Sequence, residues 1–349
     1  MQQRPLGRSG LAVSRLALGT MTWGRDTDPD DAAAQLKFYL EAGGTLLDTA
    51  DVYGDGDAES VIGSLLDHLV PRDEVLIATK AGLTPGRFRL RDGSRGHLLR
   101  SLDASLRRLG TDYVDLWQVH GYDTQTPLEE TLAALDHAVN SGRVRYVGVS
   151  NFAAWQTARA ATWQAAYPGR APIVAAQMEY SLLERGIERE LLPASAALGL
   201  GVLAWSPLGS GVLTGKYTRA DLDHTNSPGA GVTGSRKDVA AGNGALQPRS
   251  LDIADVVAQI AKEQGRSPAQ VALAWLLHRS APTVMPIIGA RIFAQFEDNL
   301  GALDVELDGD AMQRLDAVSA IKLGFPHDFM ALPMTQGVLS GGSSVRRPA

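Results

Sequence analysis

The sequence predicts an α/β protein built as a (β/α)8 or TIM barrel, in which eight parallel strands alternate with helices and close on themselves. Short runs rich in Val, Ile and Leu recur along the 349 residues, and a longer segment of helical period follows each run. The runs are continuously apolar, as is typical of parallel strands covered on both faces by helices. Eight such units in a chain of this length indicate a closed barrel.

An open, doubly wound sheet is the alternative arrangement of these elements. That fold binds a dinucleotide at a G-x-G-x-x-G turn after its first strand. None of the predicted strands is followed by the motif, and Gly54 and Gly56 in YGDGDAES are too few to form it. The eight predicted strands cover residues 15–20, 45–50, 74–80, 113–120, 146–151, 174–180, 201–207 and 283–289.

Three of the helices between these strands carry signals of their own. Thr126 is predicted as an N-cap, with Pro127 in the first helical position, Glu129 completing a capping box and Gly142 ending the helix. Its apolar face is Leu128, Leu132, Leu135 and Val139. A second stripe, which ends at Gly110, is Leu98, Leu102, Leu106 and Leu109. Residues 269–277 are almost wholly apolar, which suits a helix lying against a sheet.

Two segments fall outside the repeat, so we predict one barrel domain over residues 1–322 and a tail over residues 323–349. Residues 218–250 are rich in glycine and far longer than an ordinary connection, which indicates a functional loop inserted after the seventh strand. The aromatic start of the tail, with Phe325 and Phe329, is expected near the mouth of the barrel. Its last residues are expected to be disordered.

Composition excludes several classes of function. The net charge of -6 gives no reason to expect a nucleic-acid partner. The chain has no cysteine, and its histidines form no close pair, so no metal site is expected. The sequence shows neither a signal peptide nor a long apolar span, so we expect a cytoplasmic protein with no membrane partner. The oligomeric state is not indicated.

Polar side chains close the apolar runs, and in a barrel of this kind the active site lies at those strand ends. They are Asp48, Lys80, His120, Ser150, Asn151, Gln177, Trp205 and Ser206, with Arg291 just after the last run. Asp48, Lys80 and His120 end consecutive strands, and Tyr53 follows Asp48 closely. A lysine beside a carboxylate stays cationic and would lower the pKa of a neighbouring tyrosine. A tyrosine so tuned is a general acid, which indicates carbonyl reduction.

The motifs LDTADVYGDGDAES, ATK, DLWQVH, VGVSNF, AWSPLGSGVLTGKY and PIIGARIFAQFEDNLGAL resemble, in order and spacing, those of the aldo-keto reductases. This resemblance implies that the catalytic tetrad is Asp48, Tyr53, Lys80 and His120. It implies that Ser150, Asn151 and Gln177 hold the nicotinamide carboxamide, with Gly19 and Thr20 also at the cofactor. It implies that an aromatic residue stacks on the nicotinamide; that residue is commonly tyrosine, and Trp205 stands in its place.

The stretch GSGVLTGKYT looks like a triphosphate loop but does not fit one. Ser210 stands where the first glycine of that loop is required, and Tyr217 replaces the hydroxyl residue that would reach magnesium. The resemblance instead assigns Ser206, Leu208, Ser210 and Lys216 to the pyrophosphate of a nicotinamide cofactor. Residues 218–250 would then be a belt over that cofactor, to which Arg236 or Lys237 could contribute a charge.

The adenosine end of the cofactor is expected at GARIFAQFEDN. A helix N-terminus with a guanidinium favours the 2′-phosphate of NADPH. The candidate residues are Gly289, Arg291, Gln295 and Asn299. Other family members carry a Lys-Ser pair where this chain has Gly289 and Ala290, so NADPH is the expected cofactor and NADH the alternative.

The substrate is expected to be a small carbonyl compound. Met21, Trp23 and Tyr122 would rim the pocket, which favours an apolar or aromatic carbonyl over the polar alternative, a sugar. Gly121, after the tetrad histidine, is expected to widen the mouth. A second role for this fold is the cofactor-sensing β subunit of potassium channels.

Overall fold

The computed structural model describes residues 1–66, 68–86, 88–224, 235–279 and 282–341. Eight parallel strands close into a barrel, which confirms the predicted fold class. They are β3 (Ala17–Gly19), β4 (Leu46–Asp48), β5 (Leu76–Ala81), β6 (Val114–Val119), β7 (Val144–Ser150), β8 (Ile173–Glu179), β9 (Gly201–Trp205) and β10 (Val284–Ile288). Each strand pairs with the next in chain order, and β10 returns to β3. The strand predictions are confirmed to within two residues at either end.

Helices connect successive strands and cover the outside of the barrel. They are α1 (Pro29–Glu41), α2 (Asp57–Leu65), α3 (Arg95–Leu109), α4 (Leu128–Asn140), α5 (Ala154–Ala165), α6 (Leu191–Leu198), α7 (Arg236–Gly242), α8 (Pro248–Gln264), α9 (Pro268–Leu277), α10 (Phe293–Leu300), α11 (Gly309–Ser319), α12 (His327–Ala331) and α13 (Pro333–Ser340). The predicted leucine stripe of α3 is buried, and Gly110 ends that helix in the left-handed conformation. Every residue of α9 from Val271 to Leu277 is buried, as its apolar sequence predicts.

The start of α4 differs from the prediction. The helix begins at Leu128 with Pro127 as the N-cap residue, and no side chain caps it. The Thr126 hydroxyl instead donates to Asp123 Oδ2 at 2.6 Å. The predicted capping box is therefore wrong, because Asp123 takes the hydroxyl that would have capped the helix.

A hairpin that the sequence analysis did not predict closes the bottom of the barrel. Its strands, β1 (Gln3–Pro5) and β2 (Ala12–Ser14), pair antiparallel. Leu6, Leu11 and Val13 are buried against apolar side chains of the barrel interior. The hairpin also bonds to the chain just before β9, through the Arg8 amide and the Gly199 carbonyl at 2.7 Å. This end of the barrel is therefore plugged, and the opposite rim is left for a ligand.

The segment predicted as a long loop after the seventh strand contains helical structure. A 3-10 turn spans Arg219–His224, α7 follows, and α8 already begins at Pro248. Residues 225–234 and 342–349 lie outside the described residues, so the disorder expected at the end of the tail is untested. Among the helices that the structure describes, none is long and apolar enough to cross a membrane.

Candidate active site

The structure brings together the four residues of the predicted tetrad. Asp48 ends β4, Lys80 lies in β5, His120 directly follows β6, and Tyr53 opens the 3-10 turn Tyr53–Gly56. Lys80 Nζ donates to Asp48 Oδ1 at 2.7 Å and to the Tyr53 hydroxyl oxygen at 3.2 Å. Neighbouring parallel strands end at one rim, so residues distant in sequence meet there.

The ammonium of Lys80 is completely buried and well satisfied. Besides its bonds to Asp48 and Tyr53, it donates to the Thr49 carbonyl oxygen at 2.8 Å. Burial lowers the pKa of Lys80, but Asp48 and Tyr53 offset it, so the pKa lies above its ordinary value. A permanent cation therefore lies beside the phenol oxygen of Tyr53.

Tyr53 differs from the sequence expectation in its ionisation. Burial raises the pKa of Tyr53, while the charge of Lys80 acts in the opposite direction and does not prevail. The expectation that Lys80 brings this pKa below its ordinary value is therefore wrong for this structure. At neutral pH Tyr53 holds its proton, which is the form that a proton donor needs.

His120 is an uncharged neighbour of the tyrosine. The two rings meet edge to face, with centroids 6.0 Å apart. Burial, with the charge of Lys80 second, lowers the pKa of His120 to about 3. Its Nδ1 atom has no hydrogen-bond partner among the described residues. A neutral imidazole can donate one hydrogen bond to a substrate oxygen without acting as a competing acid.

Two residues predicted to hold the nicotinamide carboxamide lie deep in the same rim. Gln177 Nε2 donates to Asp48 Oδ2 at 2.7 Å, which leaves the side-chain oxygen of Gln177, Oε1, for a ligand. The hydroxyl of Ser150 is buried and has no partner within the described part of the chain. Thr20, predicted with Gly19 at the cofactor, donates its hydroxyl to the Asp48 carbonyl oxygen at 3.0 Å. Thr20 thus fixes the backbone of a tetrad residue.

Asn151, the third residue assigned to the carboxamide, braces the neighbouring side chains. Its Nδ2 atom donates to the His120 carbonyl oxygen at 3.0 Å, and its Oδ1 atom accepts from Trp205 Nε1 at 3.0 Å. Asn151 adopts a φ of 56°, a left-handed conformation that asparagine tolerates. The bond from Trp205 fixes the orientation of an indole that is only half-buried. The sequence motif does not reveal this link.

The turn Gly209–Thr214 carries the stretch predicted to bind pyrophosphate. Gly209, Ser210 and Gly211 all have positive φ, and their amides donate to Ser206 O, Ser206 Oγ and Leu208 O respectively. These three amides are therefore engaged within the turn. We therefore expect anion binding at this turn to depend on nearby cations.

Three cationic side chains beside that turn, Lys216, Arg236 and Arg291, lie within range of one another's charge. Burial, together with the charges of Arg236 and Arg291, lowers the pKa of Lys216. Burial and Arg291 likewise lower the pKa of Arg236. Neither Arg236 nor Arg291 forms an ion pair with a described residue. Like charges held together at a half-buried site favour a bound anion.

The structure distinguishes Arg236 from Lys237, which the sequence analysis left as alternatives. Lys237 Nζ bonds to Asp221 Oδ1 at 3.0 Å and is neutralised there. Arg236 instead lies with Lys216 and Arg291, and the nearby Asp26 is paired with Arg25 at 2.7 Å. Of the two residues, Arg236 is the one available to an anion.

The N-terminus of α10, expected to bind the adenosine phosphate, already has a carboxylate partner. The Phe293 amide donates to Asp31 Oδ1 at 2.8 Å. Gly289 and Gln295 are exposed beside it, and Asn299 is buried one turn further on. Recognition of a 2′-phosphate there would depend on the guanidinium of Arg291 more than on the helix terminus.

The mouth of the site differs in several ways from the prediction. Met21 is 42% exposed, but Trp23 is fully buried in the core and has no surface at the mouth. Tyr122 is half-buried and packs edge to face on Phe152 and Trp155. Phe325 and Phe329 of the tail are 83% and 47% exposed and contact each other instead of the rim aromatics.

Gly121 does not widen the mouth in the way the sequence suggested. A Cβ at Gly121 would lie 3.0 Å from Arg91 Nε and 3.3 Å from Arg91 Cδ. The side chain of Arg91, from the loop after β5, therefore occupies the space that a larger residue would fill. The expected gap is closed by a residue thirty positions earlier.

These residues fit a nicotinamide dinucleotide. One end of the site has the unpartnered Ser150 hydroxyl, the Gln177 carbonyl oxygen and the oriented indole of Trp205. The other end has three cations that act on one another's charge. One of them is Arg291, whose Nε atom is buried and has no hydrogen-bond partner among the described residues. An amide-bearing ring and a phosphate group are the ligands that such donors match.

A barrel whose rim joins this tetrad to such a cofactor site is that of an NAD(P)H-dependent oxidoreductase. The chain matches the model of the aldo/keto reductase family over residues 15–320, and it belongs to that family.

Named relatives cover nearly the whole chain. An uncharacterized oxidoreductase of Bacillus subtilis (strain 168), YrpG, is 37% identical over 91% of this chain and 96% of its own length. The L-glyceraldehyde 3-phosphate reductase of Escherichia coli (strain K12) is 36% identical over 87% of this chain and 88% of its own. A probable voltage-gated potassium channel subunit beta of Oryza sativa subsp. japonica is 37% identical over 91% and 96%.

Proposed function

We propose that the protein reduces aldehydes or ketones with NADPH and that Tyr53 donates the proton. The observation that carries this proposal is the 3.2 Å contact between the Tyr53 hydroxyl and the buried ammonium of Lys80, itself held by Asp48. A bound reduced nicotinamide supplies a hydride to the carbonyl carbon. The protein's own residues then have to deliver a proton to the carbonyl oxygen.

Each tetrad residue has a distinct task in that proton transfer. The O–H bond of Tyr53 breaks as its proton moves to the developing alkoxide, and Lys80 stabilises the phenolate that remains. Asp48 holds Lys80 in place and keeps it charged. His120, neutral because its pKa is lowered to about 3, donates a hydrogen bond that orients the carbonyl oxygen.

The charges at the far end of the site support the proposed preference for NADPH. NADPH differs from NADH by one phosphate. Lys216, Arg236 and Arg291 lie within range of one another's charge, and none of them forms an ion pair with a carboxylate of the described residues. A guanidinium binds phosphate with two parallel hydrogen bonds, which suits Arg236 and Arg291 to this task.

We propose that the substrate is a small aldehyde or ketone. The exposed Met21 and the half-buried Tyr122 favour an apolar or aromatic carbonyl compound. The Escherichia coli relative named L-glyceraldehyde 3-phosphate reductase adds a small phosphorylated aldehyde to the panel worth testing.

Replacing Tyr53 by phenylalanine tests the proposal. Tyr53→Phe removes the proton donor but keeps the ring, so we expect reduction to fall at least about 100-fold, the scale of general acid catalysis. NADPH affinity, measured by quenching of tryptophan fluorescence, should stay unchanged. Turnover is followed by the absorbance of reduced nicotinamide across a panel of aldehydes, ketones and sugars. Full activity of the variant would show that another group supplies the proton.

The rice relative supports a second candidate, a cofactor-sensing regulatory subunit. The two functions differ in turnover and agree in cofactor binding. Tight NADPH binding with no turnover on any carbonyl of the panel would favour the regulatory role. Turnover that depends on Tyr53 favours the reductase.

A further inference from the structure

An ion pair with a fully buried carboxylate and a partly exposed arginine lies behind the tetrad, between the barrel and its outer helices. Glu59 of α2 is 0% exposed, and Arg108 of α3 donates to its Oε2 atom through Nε at 2.9 Å and Nη2 at 2.6 Å. The other carboxylate oxygen, Oε1, accepts from the Thr79 hydroxyl at 2.5 Å. The mechanism above does not use any of these three side chains.

This pair contacts both elements that carry the proton-transfer residues. Thr79 directly precedes Lys80 in β5, so the Glu59 carboxylate is attached to the strand that holds Lys80. Arg108 lies against Gly56, the last residue of the turn that begins at Tyr53: a Cβ there would be only 2.6 Å from Arg108 Cδ and Nε. Gly56 also has a φ of 102°, so a side chain is disfavoured twice.

We propose that Glu59 and Arg108 are positioning residues that fix the Tyr53 turn against β5 and thereby set the distance between the Tyr53 hydroxyl and Lys80 Nζ. The inference rests on the proposed function of Tyr53 and Lys80 in proton transfer. Stability alone does not require such a pair, because uncharged side chains of similar volume commonly replace buried ion pairs at no cost. The pair gives a fixed geometry, because the planar guanidinium of Arg108 lies between the Glu59 carboxylate and Gly56.

A charge-free double variant separates positioning from stability. Arg108→Met alone leaves a buried carboxylate unpaired and should lower the melting temperature strongly. Adding Glu59→Gln removes that charge while keeping an acceptor for Thr79, so the double variant should recover most of the melting temperature. We expect its kcat to stay about tenfold below wild type, because the turn is no longer fixed, with the KM for NADPH unchanged.

A second ion pair that contacts β5 provides the matched control. Arg72 donates to Asp115 Oδ2 at 2.7 Å, and the same oxygen accepts from the Ile77 amide at 2.9 Å, at the start of β5 and β6 and thus at the opposite end of the barrel. The variant Arg72→Met with Asp115→Asn loses a pair of the same chemistry. It should leave kcat at the wild-type value.

A spectroscopic readout keeps this test separate from the proposed function. In protein labelled with 13C-tyrosine, the Cζ resonance of Tyr53, assigned through Tyr53→Phe, reports its contact with Lys80 without any turnover. The resonance should shift in the Glu59 and Arg108 double variant and stay in place in the control variant. Three results would each overturn the positioning role: an unmoved Tyr53 resonance in the double variant, a wild-type kcat in the folded double variant, or an equal loss of kcat in the control variant.

Discussion

Lys80 and His120 lie in the same buried rim, but the pKa of Lys80 is raised there and that of His120 is lowered. Burial disfavours the charged form of both. Lys80 has Asp48 as an ion-pair partner and stays charged. His120 has no carboxylate partner within the described part of the chain, so burial and the nearby cation lower its pKa to about 3. The rim thus holds one permanent cation and one permanently neutral imidazole across the physiological pH range. Tyr53, between them, is left as the group able to give up a proton.

Asp51, two residues before Tyr53, has a pKa that is shifted into the neutral range. Burial and the negative charge of Glu59 raise the pKa of Asp51 to about 7, and Arg108, Ser101 and Lys80 offset only part of this rise. Its Oδ1 atom is buried and has no hydrogen-bond partner among the described residues. The folded protein therefore keeps a proton that the unfolded chain loses above pH 3.8.

The sign of the resulting pH dependence follows from that difference. The contribution of Asp51 to stability is fully present below pH 3.8 and is lost as the pH rises to about 7. Asp51→Asn removes the titration, so we expect its melting temperature to exceed that of wild type clearly at pH 8 and by much less at pH 5. Thermal unfolding at the two pH values measures this. Asp55→Asn, exposed in the same turn, is the control and should follow wild type; identical curves for Asp51→Asn and wild type would contradict the prediction.

Between β9 and α8, short elements place one cation of the phosphate site. The Ser235 hydroxyl and the Asp238 carboxylate cap α7 reciprocally, and Lys237 ties the helix to Asp221. At the other end, Asn243 Nδ2 donates to Ser210 Oγ at 2.7 Å and joins α7 to the turn Gly209–Thr214. Both ends of α7 are thereby attached. Arg236, in its first position, is held among the other cations.

Adjacent residues of α7 should differ in their effect on cofactor binding. Arg236→Ala removes a guanidinium that forms no ion pair with a described residue, and it should weaken NADPH binding by about 2 kcal/mol, the scale of a hydrogen bond to a charged group. Lys237→Ala removes a charge already neutralised by Asp221 and should leave NADPH binding unchanged. Tryptophan quenching titrations give both dissociation constants.

Arg291→Ala extends this test to the choice of cofactor. We expect a loss of similar size for NADPH and almost none for NADH, because the residue is assigned to the extra phosphate. Equal losses for the two cofactors would move Arg291 to the pyrophosphate, and a loss for Lys237→Ala as large as that for Arg236→Ala would refute the assignment of α7.

Across the whole molecule, the sequence predicted the features that repeat or end a pattern. Continuous apolar runs located all eight strands, and the polar residue closing each run identified Asp48, Lys80 and His120. Features formed by contacts between distant segments were not predictable. Arg91 fills the space at Gly121, Asp31 caps the amide of Phe293, and Asn151 orients Trp205. In each case the residue types permit many partners, and only the closed barrel selects one.

The tail gives a test of where the barrel domain ends. The tail exposes large apolar side chains: Phe325, just before α12, is 83% exposed, and Met334 and Val338 of α13 are 74% and 76% exposed. The residues just before the tail are bound to the barrel instead: Arg189 donates to the Lys322 carbonyl oxygen, and Arg249 to that of Ala320. A domain boundary at residue 322 keeps those bonds and removes little buried surface.

Two truncated chains, one ending at that boundary and one ending before it, test where the domain ends. A chain ending at Lys322 should melt within about 3 °C of the full chain, the shift expected for less than about 1 kcal/mol in a domain of this size. A chain ending at Val318 loses both carbonyl acceptors and the fully buried Ser319, whose hydroxyl accepts from Arg185 Nη1 at 2.8 Å. It should melt far lower, because the buried guanidinium of Arg185 would lose the Ser319 acceptor and keep only Asp316 at Nη1. An equally large drop in melting temperature for the chain ending at Lys322 would show that the tail belongs to the folded core.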